Sequence, residues 1–169
     1  MEKKTIVFIE TAAKIANVFE NQMKIPLMGT FYLGTILHNA GYSVRILNEN
    51  ILGKEVDPFS ISADVFCITA LTITCNPAKL LASNLRRIYP NSKIIIGGIH
   101  ASLLPEEFTD VADHVVLGEA EDIIIDLVEG KFTEKIVHGN KVADLNALPP
   151  VNYKLLEHYE NLNVIPIMT

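Results

Sequence analysis

The sequence predicts a doubly wound α/β domain built on a five-stranded parallel sheet of order 2-1-3-4-5, and three observations carry that expectation. Strand-like and helix-like segments alternate along the chain. The strand candidates are mostly continuous apolar runs, the pattern of strands covered on both faces. The fourth of them runs straight into GGIHAS (97–102), which removes two β-carbons where an open α/β sheet presents its ligands.

The strands are expected at TIVFIE (5–10), YSVRILN (42–48), ADVFCIT (63–69), KIIIG (93–97) and DHVVLG (113–118). Between the first two, Leu33, Ile36, Leu37 and Ala40 keep the i, i+3, i+4, i+7 spacing of a helix that Gly41 is placed to stop. Ile51 to Ser62 is interrupted by Gly53 and Pro58 and predicts no full helix. Asn76 and Pro77 read as N-cap and first residue of a helix whose Leu81, Leu85 and Ile88 share a face until Tyr89-Pro90 ends it. PEEF (105–108) starts a short helix, and Glu119 to Glu129 another that Gly130 stops. Lys131 to Asn140 leaves room for at most a short edge strand.

Right-handed crossovers turn this alternation into the flavodoxin-like order, in which strands 1, 3, 4 and 5 lie side by side. Their C-terminal ends form one shelf, carrying the loop after Glu10, TALTITCN (69–76), GGIHAS (97–102) and GEAE (118–121). Small or hydroxyl residues crowd it: Thr69, Ala70, Thr72 and Thr74 from one loop, Gly97, Gly98, Ala101 and Ser102 from the next, then Gly118. Each has a plain alternative. A glycine pair also makes a tight turn, His100 by itself reads as a loop histidine bonded to backbone, and Glu119 and Glu121 suit the start of a helix without any catalytic purpose. Four loops of the same character at one sheet edge are what point to a ligand.

Composition narrows the ligand. The 169 residues are 49% hydrophobic, enough for one domain with a core, and 14 Lys and Arg against 20 Asp and Glu give a net charge of -6. That balance argues against a nucleic-acid or anionic-membrane surface. The N-terminal MEKKTIVFIE holds an apolar run too short for a signal peptide or a span, so a cytoplasmic protein is expected. Cys67 and Cys75 form no CxxC pair and no histidine stands at metal-ligand spacing from them, so both read as reduced thiols. No GxGxxG follows the first strand, which disfavours a dinucleotide. The third strand ends on Thr69 and not on an aspartate, which disfavours a phospho-receiver. A flavin or nucleotide carrier stays open as an alternative, though the first loop offers only Thr11 to a phosphate.

The succession PxxGTxYLG (26–34), HNAGYSVRILNEN (38–50), ADVFCITALT (63–72), IIGGIHASxLPEE (95–107) and VVLGEAE (115–121) resembles the N-terminal cobalamin-binding domain of cobalamin-dependent radical S-adenosylmethionine enzymes, the anaerobic magnesium-protoporphyrin ester cyclases among them. The resemblance implies a Rossmann-like cobalamin-binding fold over residues 1–140, with Thr69, Ala70, Leu71, Thr72, Gly97, Gly98, His100, Gly118 and Glu119 lining the cofactor site and Ala101 and Ser102 joining them from the same loop. It implies a corrin ring on the shelf, with the nucleotide tail beside the sheet at Gly97 and Gly98. It further implies that residues 141–169 are a linker and, at NVIPIMT (163–169), the first strand of a radical barrel. The [4Fe–4S] cluster and S-adenosylmethionine would then belong to a catalytic half beyond Thr169, because this chain has no cysteine triplet to hold a cluster. The Asp-x-His-x-x-Gly motif of methionine-synthase-type domains is absent after strand 1. ILHNAG (36–41) is a partial match that places His38 at the far sheet edge. The expected role is to position cobalamin for methyl transfer or oxidation, with no catalytic side chain or metal ligand in this chain; the alternatives are the flavin or nucleotide carrier and a degenerate domain that binds nothing and only docks against the barrel.

Overall fold

The computed structural model describes residues 3–13, 25–162 and 164–167. Six strands form one all-parallel sheet: β1 (Thr5–Glu10), β2 (Ser43–Asn48), β3 (Val65–Thr69), β4 (Lys93–Gly97), β5 (His114–Leu117) and β6 (Ile136–His138), in the order β2-β1-β3-β4-β5-β6. The expected five-strand order is present, and the short strand β6 extends it beside β5.

Apolar side chains alternate onto two faces. On one face Phe8, Cys67, Ile95 and Val116 pack under α1 (Met28–Asn39) and α5 (Ile124–Glu129). On the other, Val7, Phe66, Ile94 and Val115 pack under α3 (Cys75–Ile88) and α4 (Ile99–Leu103). Ala78, Leu81, Ala82 and Leu85 give α3 the stripe its spacing predicts, while Ile88 is only half-buried. The segment 51–62 resolves into α2 (Glu49–Leu52), capped by the Asn48 side chain, and a 3-10 turn at Pro58–Ser60.

Three expectations need correction. Helix α3 begins at Cys75, not after an Asn76 cap, because a 3-10 turn at Thr72–Thr74 leads directly into it and Thr74 Oγ1 accepts from Leu71 N at 3.1 Å. Helix α1 buries Thr30, Phe31, Gly34, Thr35 and Leu37, leaving Leu33 and Ile36 half-buried. Gly34 lets the helix sit close on β2, where an added Cβ would stand 3.2 Å from Ile46 Cδ1. Helix α5 begins at Ile124, not Glu119, since the Glu119 carboxylate is drawn away to accept from Val142 N at 2.6 Å.

Beyond β6 the chain docks back on the first face. Leu155 and Leu156 are buried, Leu156 bridges Ile46 of β2, Asn152 N donates to Thr35 Oγ1 at 3.0 Å, and Arg45 pairs with Glu157. Tyr153 meets Phe31 edge-on at 5.1 Å. Within the expected strand 163–169, Asn163, Met168 and Thr169 lie outside the described residues, and 164–167 form no strand. Among the described residues no helix is long and apolar enough to cross a membrane.

Candidate functional site

The register brings Glu10, Asn48, Thr69 and Gly97 level at the C-terminal edge of the sheet. Beneath this edge, between the sheet and the helices of the first face, lies a cavity of about 290 Å³. Phe8, Cys67, Ile95 and Val116 make its floor. Leu27, Gly29, Thr30 and Leu33 come from the α1 side, and Ala120, Glu121 and Ile124 from the approach to α5. Ile68 lines it too, and Thr69, Leu71, Gly97, Gly98, Gly118 and Glu119, all six read from the sequence as site residues, complete it. Its wall is mainly apolar, and burial pushes the Cys67 thiol up to about 12, so that group stays a neutral part of the floor.

The glycine pair divides into two jobs. A Cβ added at Gly97 would find its nearest neighbour, Val116 O, 3.9 Å away, so Gly97 holds open space beside the sheet. Gly98 has φ +102 and ψ 174, and a Cβ there would lie 2.7 Å from Ala70 O. That conformation is essentially confined to glycine. The close approach is fastened by Ala70 N donating to Gly97 O at 2.8 Å and His100 N donating to Ala70 O at 3.1 Å. Ser102 Oγ donates to Gly98 O and accepts from Gly118 N, each at 3.0 Å, tying the loop after β4 to the loop after β5. Ala70 and Ala101 are fully buried. Ala70, Thr72, His100, Ala101 and Ser102 therefore build the loops without lining the cavity.

His100 sits on α4 rather than in a loop, 6% exposed, and its ring is held by side chains instead of backbone. Nδ1 stands 3.4 Å from Thr72 Oγ1, Nε2 stands 3.2 Å from Glu107 Oε2, and Phe108 meets the ring edge-on. His38 is exposed in the last turn of α1, at the edge where β1 and β2 begin, as its place in the sequence predicts.

Two features were not singled out in the sequence. Glu10, the polar end of an otherwise apolar strand, is buried at the top of β1. It accepts from Asn48 Nδ2 at 2.5 Å and from Leu27 N at 3.2 Å, just ahead of α1. Thr30, a further partner of this carboxyl, stands 3.4 Å from Thr69 through the two hydroxyls. Burial raises the Glu10 pKa from 4.5 to about 7, against the lowering pull of these hydrogen bonds. Burial likewise raises that of Glu121, whose Oε2 is enclosed without a hydrogen-bond partner among the described residues.

The second is Gly139, where an added Cβ would fall 1.7 Å from Glu119 O. The backbone after β6 crosses the GEAE loop at that point, so Gly139→Ala must push the loop away from the rim. The expected cost is about 1–3 kcal/mol, read as a lower denaturant midpoint and faster amide exchange at Glu119 and Ala120. Unchanged exchange there would show that the crossing does not hold the rim.

A search of the curated proteins finds no match. Among solved structures, the N-terminal domain of a hypothetical protein of Thermotoga maritima is similar at 18% identity and a TM-score of 0.48, over 70% of this chain and 95% of that one. Residues 16–128 match the B12 binding domain family, two-thirds of the chain and every strand from β2 to β5, and the chain belongs to that family.

Proposed function

We propose that this chain binds cobalamin, with the nucleotide tail in the cavity beside Gly97 and the corrin over the C-terminal edge of the sheet, and that it serves as the cobalamin-binding part of a radical S-adenosylmethionine enzyme. The observation that carries the reading is the open space at Gly97, in a mainly apolar cavity under the strand ends of a B12 binding domain. Sites of this kind bury most of a ligand between apolar walls and a few placed polar groups. When bound, cobalamin supplies the reactive cobalt, and this chain's residues hold and orient it. The parent activity, methyl transfer or oxidation, rests on the resemblance of the sequence motifs, as does the assignment of residues 141–169 as the connection to a barrel.

Hydroxocobalamin and flavin mononucleotide, each mixed with the protein and passed through a desalting column, test the reading by absorbance. Stoichiometric retention of the corrin alone is the expected result. Retention of flavin alone, or of neither, would overturn it.

Bound cobalamin is expected base-off, with no protein nitrogen on cobalt. A tail lodged in the cavity takes its base away from the metal, and His100 is buried outside that cavity with both ring nitrogens engaged. In the electron paramagnetic resonance spectrum of the cob(II)alamin complex the cobalt lines should lack the three-fold splitting that a coordinated nitrogen produces. A triplet that vanishes in His100→Ala would make His100 the ligand.

A further inference from the structure

The opposite face of the same sheet edge gathers a second group of chemically capable side chains that the cobalamin reading leaves unused. Cys75 is the first residue of α3, His100 the second of α4, and Glu107 lies in the 3-10 turn Pro105–Phe108. One ligand atom from each, a thiol sulfur, an imidazole nitrogen and a carboxylate oxygen, all lie within 4.8 Å of one another. The residues are far apart in sequence, so no local spacing announces the cluster. The fold assembles it by packing the loop after β3 against the loop after β4.

We propose that Cys75, His100 and Glu107 form a three-ligand site for a borderline divalent cation, zinc above all. The donor set is the first argument. One thiolate, one imidazole and one carboxylate are the three ligand types zinc takes, whereas calcium and magnesium call for oxygen alone.

Geometry is the second. Two ligands bound to a tetrahedral zinc at about 2.0–2.1 Å stand roughly 3.3 Å apart, and His100 Nε2 stands 3.2 Å from Glu107 Oε2. A sulfur at about 2.3 Å from the metal should lie roughly 3.5 Å from either, and Cys75 Sγ lies within 4.8 Å of a His100 ring nitrogen and of a Glu107 carboxylate oxygen.

The third argument is orientation. The other imidazole nitrogen, Nδ1, faces Thr72 Oγ1 at 3.4 Å, the outer hydrogen bond that aims a ligating histidine. A hydrogen bond between His100 and Glu107 accounts for two of the three groups, but the half-buried Cys75 thiol makes none among the described residues, and the cation gives it a partner. Glu107 is exposed, so the site has an entry path, and three protein ligands leave a fourth position to water or to a substrate atom. Cys75 packs on the α3 and α4 face of the sheet, as do Ala101 and Phe108 next to the other two ligands, and the cavity lies across the sheet, so the proposal stands independently of cobalamin.

Cobalt(II) is the probe, titrated into the untagged, chelator-treated 169-residue chain without cobalamin. One equivalent is expected to bind with a thiolate-to-metal band in the near ultraviolet and visible bands of tetrahedral intensity, and zinc should displace it. Cys67 cannot supply that band, since it is buried with its thiol held neutral. Cys75→Ser, nearly isosteric at a half-buried position, should fold normally and lose the thiolate band. Glu107→Gln, at an exposed position, should keep the band and weaken cobalt binding by at least about tenfold. No binding beyond that of Cys75→Ser, a band that survives in Cys75→Ser, or unchanged affinity in Glu107→Gln would each overturn the site.

Discussion

Gly97→Leu is expected to lower cobalamin affinity by roughly 100-fold or more while leaving the chain folded. The argument rests on where the new side chain goes. Its Cβ meets nothing closer than 3.9 Å, so the leucine enters the cavity without displacing protein. There it fills volume the ligand tail needs, and overlap with a bound group costs about 1–3 kcal/mol per misfit, or forbids binding outright. Far-UV circular dichroism and the melting temperature should stay near those of the unaltered chain, and equilibrium binding of hydroxocobalamin should show the loss. Full affinity in the folded variant would show that the tail does not occupy this cavity.

The neighbouring glycine should behave in the opposite way. Gly98→Ala places a Cβ 2.7 Å from Ala70 O and forces an L residue to φ +102, a backbone strain of about 1–3 kcal/mol before any clash is added. The melting temperature should fall by at least about 4 °C. Any loss of cobalamin then follows from a displaced loop rather than from a filled cavity. The sequence presents two identical residues side by side and cannot separate these roles, because the difference lies in which way each Cα faces once Ala70 has packed against the strand.

The same limit explains what was legible elsewhere. The unbroken run of three isoleucines between Lys93 and Gly97, and the shared face of Leu81 and Leu85 in α3, depend only on the chain's own periodicity, and they appear in the structure as read, whereas Ile88 at the end of that face is only half-buried. The buried stripe of α1 did not, because Thr30, Gly34 and Thr35 are buried by contact with distant segments and carry no hydropathic mark. The start of α5 was obscured by Val142, twenty-odd residues away, capturing the Glu119 carboxylate. At the site, the small-residue loops were visible from composition. Their division into cavity wall and loop scaffold was not, since Ser102 is committed by Gly118 and His100 by Thr72, each in another loop.

Glu10 belongs to that hidden class, and it governs the second large effect, a loss of stability as the pH rises. Its pKa is about 7 in the folded chain and near 4.5 when unfolded, so between these values the folded state holds a proton that the unfolded state has lost. The stabilising contribution is complete below about pH 4.5, declines as the pH rises, and is gone once the pH passes 7. Across 4.5 to about 7 the change amounts to roughly 3 kcal/mol at about 1.4 kcal/mol per unit. Glu10→Gln should remove it. The amide can still accept from Leu27 N, and it has no charge to desolvate. Urea midpoints of both proteins between pH 4.5 and 8 test this, and taking their difference cancels the other titrating groups, Glu121 included. The original chain should lose ground to the variant steadily up to neutrality and run parallel to it above. A constant gap across the range would mean that Glu10 is ionised throughout and that its carboxylate, its desolvation fully offset by Asn48, Thr30 and Leu27, stands as an anion just ahead of α1.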